Sequence, residues 1–264
     1  MKKGFVIFLT ENFFPVVSNL IKSVLLFSVY NIEVNCINFS HDFQNERIIS
    51  KTIYIETDCS YDKKFFNITK CKIISTLDSD FDIGLILDGD MIVTKEIDKI
   101  FEDNEERIQN YQFPLFAKHP HNPFDRWNHI VSLISKKQPK MKWVYSNYLF
   151  SKHHRWFFQN VLDIMNNISK TNHECLFPTV PEESILNALL AEYEVDYDLG
   201  YNYFPDGFSY VIDYYLDKTN KDGEKHIQEF YLDYSCPVKF YAFHGHDIKN
   251  VNFGKELIER LKTV

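Results

Sequence analysis

The sequence predicts an α/β fold, a twisted mixed β-sheet flanked by helices in one domain over residues 1–264. Two observations carry this. The first 40 residues read strand, helix, strand, the opening of a parallel α/β sheet. Further on, the apolar run Ile83–Leu87 reads as a strand buried on both faces, and the run is broken by Asp88-Gly89-Asp90. The length is enough for one large domain with a substantial core. With 45% hydrophobic and 25% charged residues, the composition is that of a soluble globular chain.

Taken in order, Gly4–Thr10 is a strand with Thr10-Glu11-Asn12 as the loop at its carboxyl end. Phe14–Val29 is a helix, because Val17, Leu20, Ile21, Val24 and Leu25 recur at helical spacing. Ser18, Asn19, Lys22 and Ser23 interrupt it, so it should not span a bilayer. Glu33–Phe39 and Thr52–Glu56 are the next strands, followed by a helix over Tyr61–Leu77 and a polar turn over Asp78–Asp82. The strand from Ile83 is expected to end in the two carboxylates Asp88 and Asp90, on extended backbone. Glu96–Arg107 reads as an exposed helix and Phe113–Ala117 as a strand. His119 and His121 lie among prolines with no carboxylate nearby, which suits a loop better than a metal pair. Trp143–Ser151 is a strand and His153–Ile168 a helix. Another helix starts at Pro181, where Glu182 and Glu183 suit the positive end of the dipole. Val195–Leu199 is a short strand, 206–238 a Tyr- and Asp-rich insert, Val238–Phe243 a strand and Asn252–Leu261 a closing helix.

A net charge of −8 without a stripe of Lys and Arg argues against nucleic acid as a partner. The five cysteines, at 36, 59, 71, 175 and 236, contain no Cys-x-x-Cys pair. Their odd number suggests free thiols in a reducing, cytoplasmic setting. The apolar run after Lys2-Lys3 is too short for a signal peptide.

Asp88 and Asp90 hold the candidate chemistry. On extended backbone, residues two apart point to one side, so the two carboxylates would converge at the carboxyl end of a core strand. Like charges that close repel, and a hard divalent cation such as Mg²⁺ or Mn²⁺ relieves the repulsion. Asp-Gly is also a common turn pair, and that reading competes.

The segment Leu87-Asp88-Gly89-Asp90-Met91-Ile92-Val93, followed by Lys95-Glu96-Ile97, resembles the Asp-x-Asp segment of GT-A-type glycosyltransferases. It is most similar to the glycogenin and lipopolysaccharide galactosyltransferase family. The resemblance implies a Rossmann-like GT-A sheet with a nucleotide-binding half (1–100) and an acceptor half (101–264) ending in a metal-binding segment. It implies Mn²⁺ (or Mg²⁺) on Asp88, Asp90 and a C-terminal histidine, His244 or His246, with Asp88 and Lys249 also toward the donor. It sets Thr10, Asn12 and Phe13 where the family contacts base and ribose, although these residues also read as simple turn and cap residues. Lys70, with Lys72 close behind, is the candidate basic residue on the second helix. Glu182 falls on the Asp, and Glu183 on the Gln, of the family's "Asp-Gln-x-x-Leu-Asn", which makes Glu183 and Glu182 the catalytic candidates. The family's "Asn-x-Gly" strand has no clean counterpart at Ser146 and Asn147. The implied activity is transfer of a sugar from a nucleotide-sugar, by family habit a UDP-sugar, to a hydroxyl of a glycan or glycoconjugate. Alternatives are metal-dependent phosphoryl transfer and an inactive nucleotide-sugar or glycan-binding module.

Overall fold

The strands form where β-branched and aromatic residues dominate, and they assemble into a seven-stranded mixed sheet and a separate two-stranded one. The structure, a computed structural model, describes residues 1–56, 61–93, 96–118, 131–171, 181–201, 240–242, 255, 258, 259 and 262. The chain forms two compact units. The first comprises Met1–Glu11, Tyr30–Asp88 and Phe101–Tyr201; the second comprises Asn12–Val29, Gly89–Ile100 and Asn202–Val264.

The first unit holds a seven-stranded sheet in the order β3-β2-β1-β4-β7-β6-β8. Its strands are β1 (Lys3–Thr10), β2 (Asn31–Ile37), β3 (Ile48–Ile53), β4 (Ile83–Leu87), β6 (Leu115–Lys118), β7 (Val144–Ser151) and β8 (Gly200–Tyr201). β3, β2, β1 and β4 are parallel, and β7 then runs antiparallel to both β4 and β6. Every residue of β4 is buried, as expected of a central strand with both faces covered. Gly84 makes that position possible: a Cβ there would sit 2.3 Å from the Phe150 ring on β7. Helices α2 (Tyr61–Leu77), α4 (Arg155–Thr171) and α5 (Pro181–Glu192) belong to the same unit. Tyr148 of β7 stacks on Phe158 of α4 at 4.7 Å, and its hydroxyl shares a 2.8 Å hydrogen bond with Thr76 of α2.

β3 is the edge of the sheet. Its Lys51 ammonium lies 3.4 Å from the fully buried Glu33 carboxylate of β2 and 3.1 Å from Asp80. Glu33 also accepts the Asp80 N–H at 2.9 Å. Where β7 turns into α4, His154 is wholly buried. Its Nδ1 accepts the Ser151 N–H at 3.1 Å, so the proton sits on Nε2 and is donated to the Tyr111 carbonyl at 3.0 Å.

The second unit contains α1 (Phe14–Phe27) and the antiparallel pair β5 (Met91–Val93) and β9 (Phe240–Ala242). Helix α3 (Lys99–Asn110) begins in this unit. The apolar face read from the sequence, including Val17, Leu20, Ile21 and Val24, is buried. Ser23, one of the polar interruptions, accepts the Val93 N–H at 2.9 Å through its hydroxyl oxygen.

Three elements differ from expectation. The strand from Ile83 ends at Leu87; Gly89 and Asp90 form a turn, and Met91–Val93 joins the separate two-stranded sheet. The extended-backbone argument for Asp88 and Asp90 therefore does not hold locally, and the turn chemistry of Asp-Gly prevailed. The third strand is Ile48–Ile53 rather than Thr52–Glu56, in register with Ile32–Ile37, and Tyr54 beyond it is 81% exposed. The strand expected at Val195–Leu199 begins instead at Gly200. Val195 is used in ending α5: its N–H donates to Leu190 O, the Glu194 N–H donates to Ala191 O, and Glu194 adopts φ 54°. These two bonds are a Schellman cap with glutamate in place of the usual glycine. Among the described residues no helix is long and apolar enough to cross a membrane.

Candidate functional site

The carboxyl end of β4 delivers Asp88 into a cluster drawn from α2, β7 and α5. Asp88 is held at three points. Its N–H donates to the Asn147 side-chain oxygen at 3.2 Å, Asn147 Nδ2 donates to Asp88 Oδ2 at 2.9 Å, and Lys72 Nζ ion-pairs with Asp88 Oδ1. Lys72 and Thr76 lie one turn apart on α2, and Ser146 and Tyr148 lie two apart on β7, so both pairs meet across one face. Lys72 is 1% exposed. Its ammonium donates to Ser146 Oγ at 2.8 Å, lies 3.5 Å from Glu182 Oε1 and sits 5.7 Å over the Phe8 ring. Burial alone would favour the neutral amine, but the Asp88 and Glu182 carboxylates win and raise its pKa above the ordinary lysine range.

α5 starts at Pro181, which places Glu182 and Glu183 in its first turn. Glu182 is 3% exposed. Oε1 faces Lys72 and the Ser146 hydroxyl, while Oε2 is buried with no hydrogen-bond partner among the described residues. Burial pushes its pKa up, against the pull of Lys72. Glu183 is differently occupied. Oε1 accepts Trp143 Nε1–H at 2.7 Å, and Oε2 accepts the Ser146 N–H at 3.2 Å. One turn later, the Asn187 amide pairs with both the N–H and the C=O of Val144, at 3.0 and 2.9 Å. β4 pairs with β7 only over Leu149–Ser151, so Glu183 and Asn187 satisfy backbone groups of β7 that lack a strand on that side. Burial pushes the Glu183 pKa up to about 7; the Trp143 donor opposes this and the neighbouring Glu182 adds to it.

This pairing suits a glutamate at 183. Two N–H donors converge on Glu183, and a carboxylate can accept both. An amide must turn its NH₂ toward one of them. Glu183→Gln is therefore expected to cost about 1–3 kcal/mol, the penalty for an unmet buried donor. Combining it with Trp143→Phe should recover part of that loss, which urea denaturation of the single and double variants would measure.

No family model matches the chain, and no curated protein matches it. Solved structures do. The galactosyltransferase LgtC, in complex with donor and acceptor sugar analogues, superimposes with a TM-score of 0.59 at 12% identity, covering 99% of this chain and 97% of that one. An active-site mutant of LgtC with glutamine replaced by glutamate gives 0.59 at 13% identity, with the same coverage. The glycosyltransferase GlyE of Streptococcus pneumoniae TIGR4 gives 0.55 at 14% identity, covering 100% of this chain and 64% of that one. The fold is the GT-A fold.

Within this GT-A fold the expected site residues separate. Asp88, Glu182 and Glu183 gather in the first unit, around Lys72. Lys70, the first choice on α2, instead donates to Asn166 of α4 at 3.1 Å; the lysine that reaches Asp88 is Lys72, the second choice. Thr10 ends β1, half-buried. Asn12 and Phe13 lie in the 3-10 turn Glu11–Phe13, with Asn12 exposed. In the second unit Phe13 and Val17 pack over Gly89: a Cβ on Gly89 would meet Val17 Cγ2 at 2.6 Å and Phe13 Cδ1 at 3.2 Å. Asp90 is half-buried. His244, His246, Lys249, His119, His121, the insert at 206–238 and most of the closing segment 252–261 lie outside the described residues.

Sequence reasoning missed the roles of Trp143, Asn147 and Asn187. One signal was available: Ser146 and Asn147 are adjacent polar residues in an otherwise apolar strand, and buried polar groups need partners. Among the described residues no three His, Cys, Asp or Glu side chains are placed to hold a metal ion. Asp88 and Asp90 are each half-buried carboxylates, the hard oxygen donors that a divalent cation takes.

Proposed function

We propose that the chain is a metal-dependent glycosyltransferase that moves a sugar from a nucleotide diphosphate, UDP by the family resemblance, to a hydroxyl of a glycan or glycoconjugate. The observation that carries this is the ion cluster of buried Lys72 and Glu182 with half-buried Asp88 at the carboxyl end of the central strand of a GT-A sheet. Ligands bind at such strand ends in open α/β sheets.

Mn²⁺ or Mg²⁺ would be held by Asp88 and Asp90 with His244 or His246, and would act as a Lewis acid on the diphosphate. The chain's own residues do the rest. Lys72 acts by position, fixing the Asp88 and Glu182 carboxylates. Glu182 Oε2, a buried acceptor without a partner among the described residues, accepts a hydrogen bond from the sugar. Glu183 aligns α5 with β7 through Trp143 and Ser146 rather than touching the sugar. Thr10, Asn12 and Phe13 take the base and ribose, and Lys249 the diphosphate.

The test is donor turnover. Wild type is expected to hydrolyse a UDP-sugar slowly in a Mn²⁺-dependent manner, and Asp90→Ala, shown to be folded by a cooperative urea transition, to abolish that dependence. Undiminished turnover in Asp90→Ala would remove the metal from the mechanism.

A further inference from the structure

We infer that the first unit carries a second carbohydrate-binding surface, an aromatic platform of Tyr111, Trp156, Tyr193 and Tyr197 at the end of the sheet away from Asp88. The choice of a glycan as its ligand rests on the glycosyl-transfer reading.

Asp88 follows the carboxyl end of β4, whereas Ser151 pairs with Ile83 at the amino end, and α4 starts shortly after Ser151. The start of α4 is therefore separated from Asp88 by the length of β4, roughly 17 Å. Four rings meet there in two pairs. Tyr111 and Tyr197 pack edge to face at 5.3 Å, and Trp156 and Tyr193 at 5.4 Å. Buried Phe113 backs the second pair, 5.6 Å from Trp156 and 5.5 Å from Tyr193. Polar contacts fix the platform. Asn160 Nδ2 donates to the Tyr193 hydroxyl at 2.8 Å. Arg107 lies 5.4 Å over the Tyr111 ring and donates to the carbonyls of Asp198 and Gly200, at 2.9 and 3.0 Å, which holds the loop carrying Tyr197.

The rings are held and yet remain in water: Tyr193 is 40% and Tyr197 36% exposed. At those exposures the two side chains offer roughly 150–200 Å². A stable dimer takes about 800 Å² from each partner, so the platform is too small to be a protein interface by itself. A pyranose suits it. One face of the sugar lays C–H bonds on an aromatic ring, and the rim hydroxyls need donors and acceptors. Tyrosine hydroxyls, an indole N–H and the Asn160 amide are those groups. Rings already fixed in place lose little freedom on binding. A glycan held here and at the transfer site would gain from the raised effective concentration of its end.

The test titrates the full chain, without metal or donor, with maltohexaose, cellohexaose and chitohexaose, followed by calorimetry. At least one hexasaccharide is expected to bind with a dissociation constant of about 1 mM. Tyr193→Ile/Tyr197→Ser, in which isoleucine keeps apolar bulk against Phe113, should weaken that binding about tenfold and leave donor hydrolysis unchanged. Tyr197→Ser alone should show part of the loss if the double variant lacks a cooperative urea transition. Failure of all three sugars to bind, or undiminished binding in a folded variant, overturns the inference. A wild-type dimer that the variant dissolves, seen by sedimentation velocity, overturns it in favour of a second copy of the chain. Donor hydrolysis is measured separately. Hydrolysis without hexasaccharide binding removes the platform alone, and platform-dependent binding without hydrolysis supports the platform and removes the glycosyl-transfer reading.

Discussion

Lys72→Met is expected to destabilise the chain by about 3–5 kcal/mol, the cost of removing one partner from a buried ion pair. Methionine keeps the length and fills most of the volume, so packing contributes little to that loss. What disappears is the cation between Asp88 and Glu182, and with it the ammonium over Phe8. Glu182, 3% exposed, is then left with a buried carboxylate and no cation beside it among the described residues. It can escape by taking a proton, and this gives the variant a pH signature. With its folded pKa raised further above the unfolded value, Glu182 loses stability as pH rises past that unfolded value. The deficit should therefore be larger at pH 8 than at pH 5. Urea midpoints of wild type and variant at both values check this, and Lys72→Met/Glu182→Gln should recover much of the loss. A deficit below about 1 kcal/mol at pH 8 would mean that the pair is solvated and not the buried cluster described.

Acid is expected to weaken the fold through His154. Burial pushes its pKa down to about 3; the Tyr111 carbonyl opposes that and His153 adds to it. The native ring is neutral: its Nδ1 accepts from Ser151 N–H and has no place for a second proton. The sign follows from linkage. The folded pKa lies below the unfolded value, so the contribution is fully present above about pH 6.5 and is lost as pH falls toward about 3. Across that window each unit removes about 1.4 kcal/mol, or about 2 kcal/mol between pH 7 and pH 5. His154→Gln lacks the titrating ring. Its urea midpoint should fall less than that of wild type over this interval, and equal slopes would show that His154 is accessible to protons in the native state.

Much of the scaffold was legible because periodicity and burial coincide in it. The uninterrupted apolar run of β4, the alternation of α1 and the proline-initiated α5 each follow from local pattern, and each lies within a few residues of its expected place. The misplaced elements had causes outside their own sequence. β3 is set by register against β2, and β8 begins late because the end of α5 takes up Val195. In the site, Asp88, Glu182 and Glu183 were visible as carboxylates at a strand end and a helix start. Which glutamate is already occupied was not visible, since it depends on Trp143 and the Ser146 N–H, some 40 residues earlier. The choice between Lys70 and Lys72 likewise turns on which face of α2 meets β7, and the polar composition of that helix gives little indication of it.

The sheet's outer border has a consequence for handling the protein. β3 and the residues after it read Ile48-Ile49-Ser50-Lys51-Thr52-Ile53-Tyr54-Ile55; among the described residues β3 has no strand on its outer side, and an edge strand offers backbone groups to other chains. Lys51 is the one charge in that stretch, anchored to Glu33 and Asp80. A neutral aliphatic residue there would leave eight consecutive uncharged, β-prone residues, the kind of segment that nucleates fibrils. Lys51→Ile is thus expected to speed fibril formation, which thioflavin fluorescence of the two chains side by side would measure.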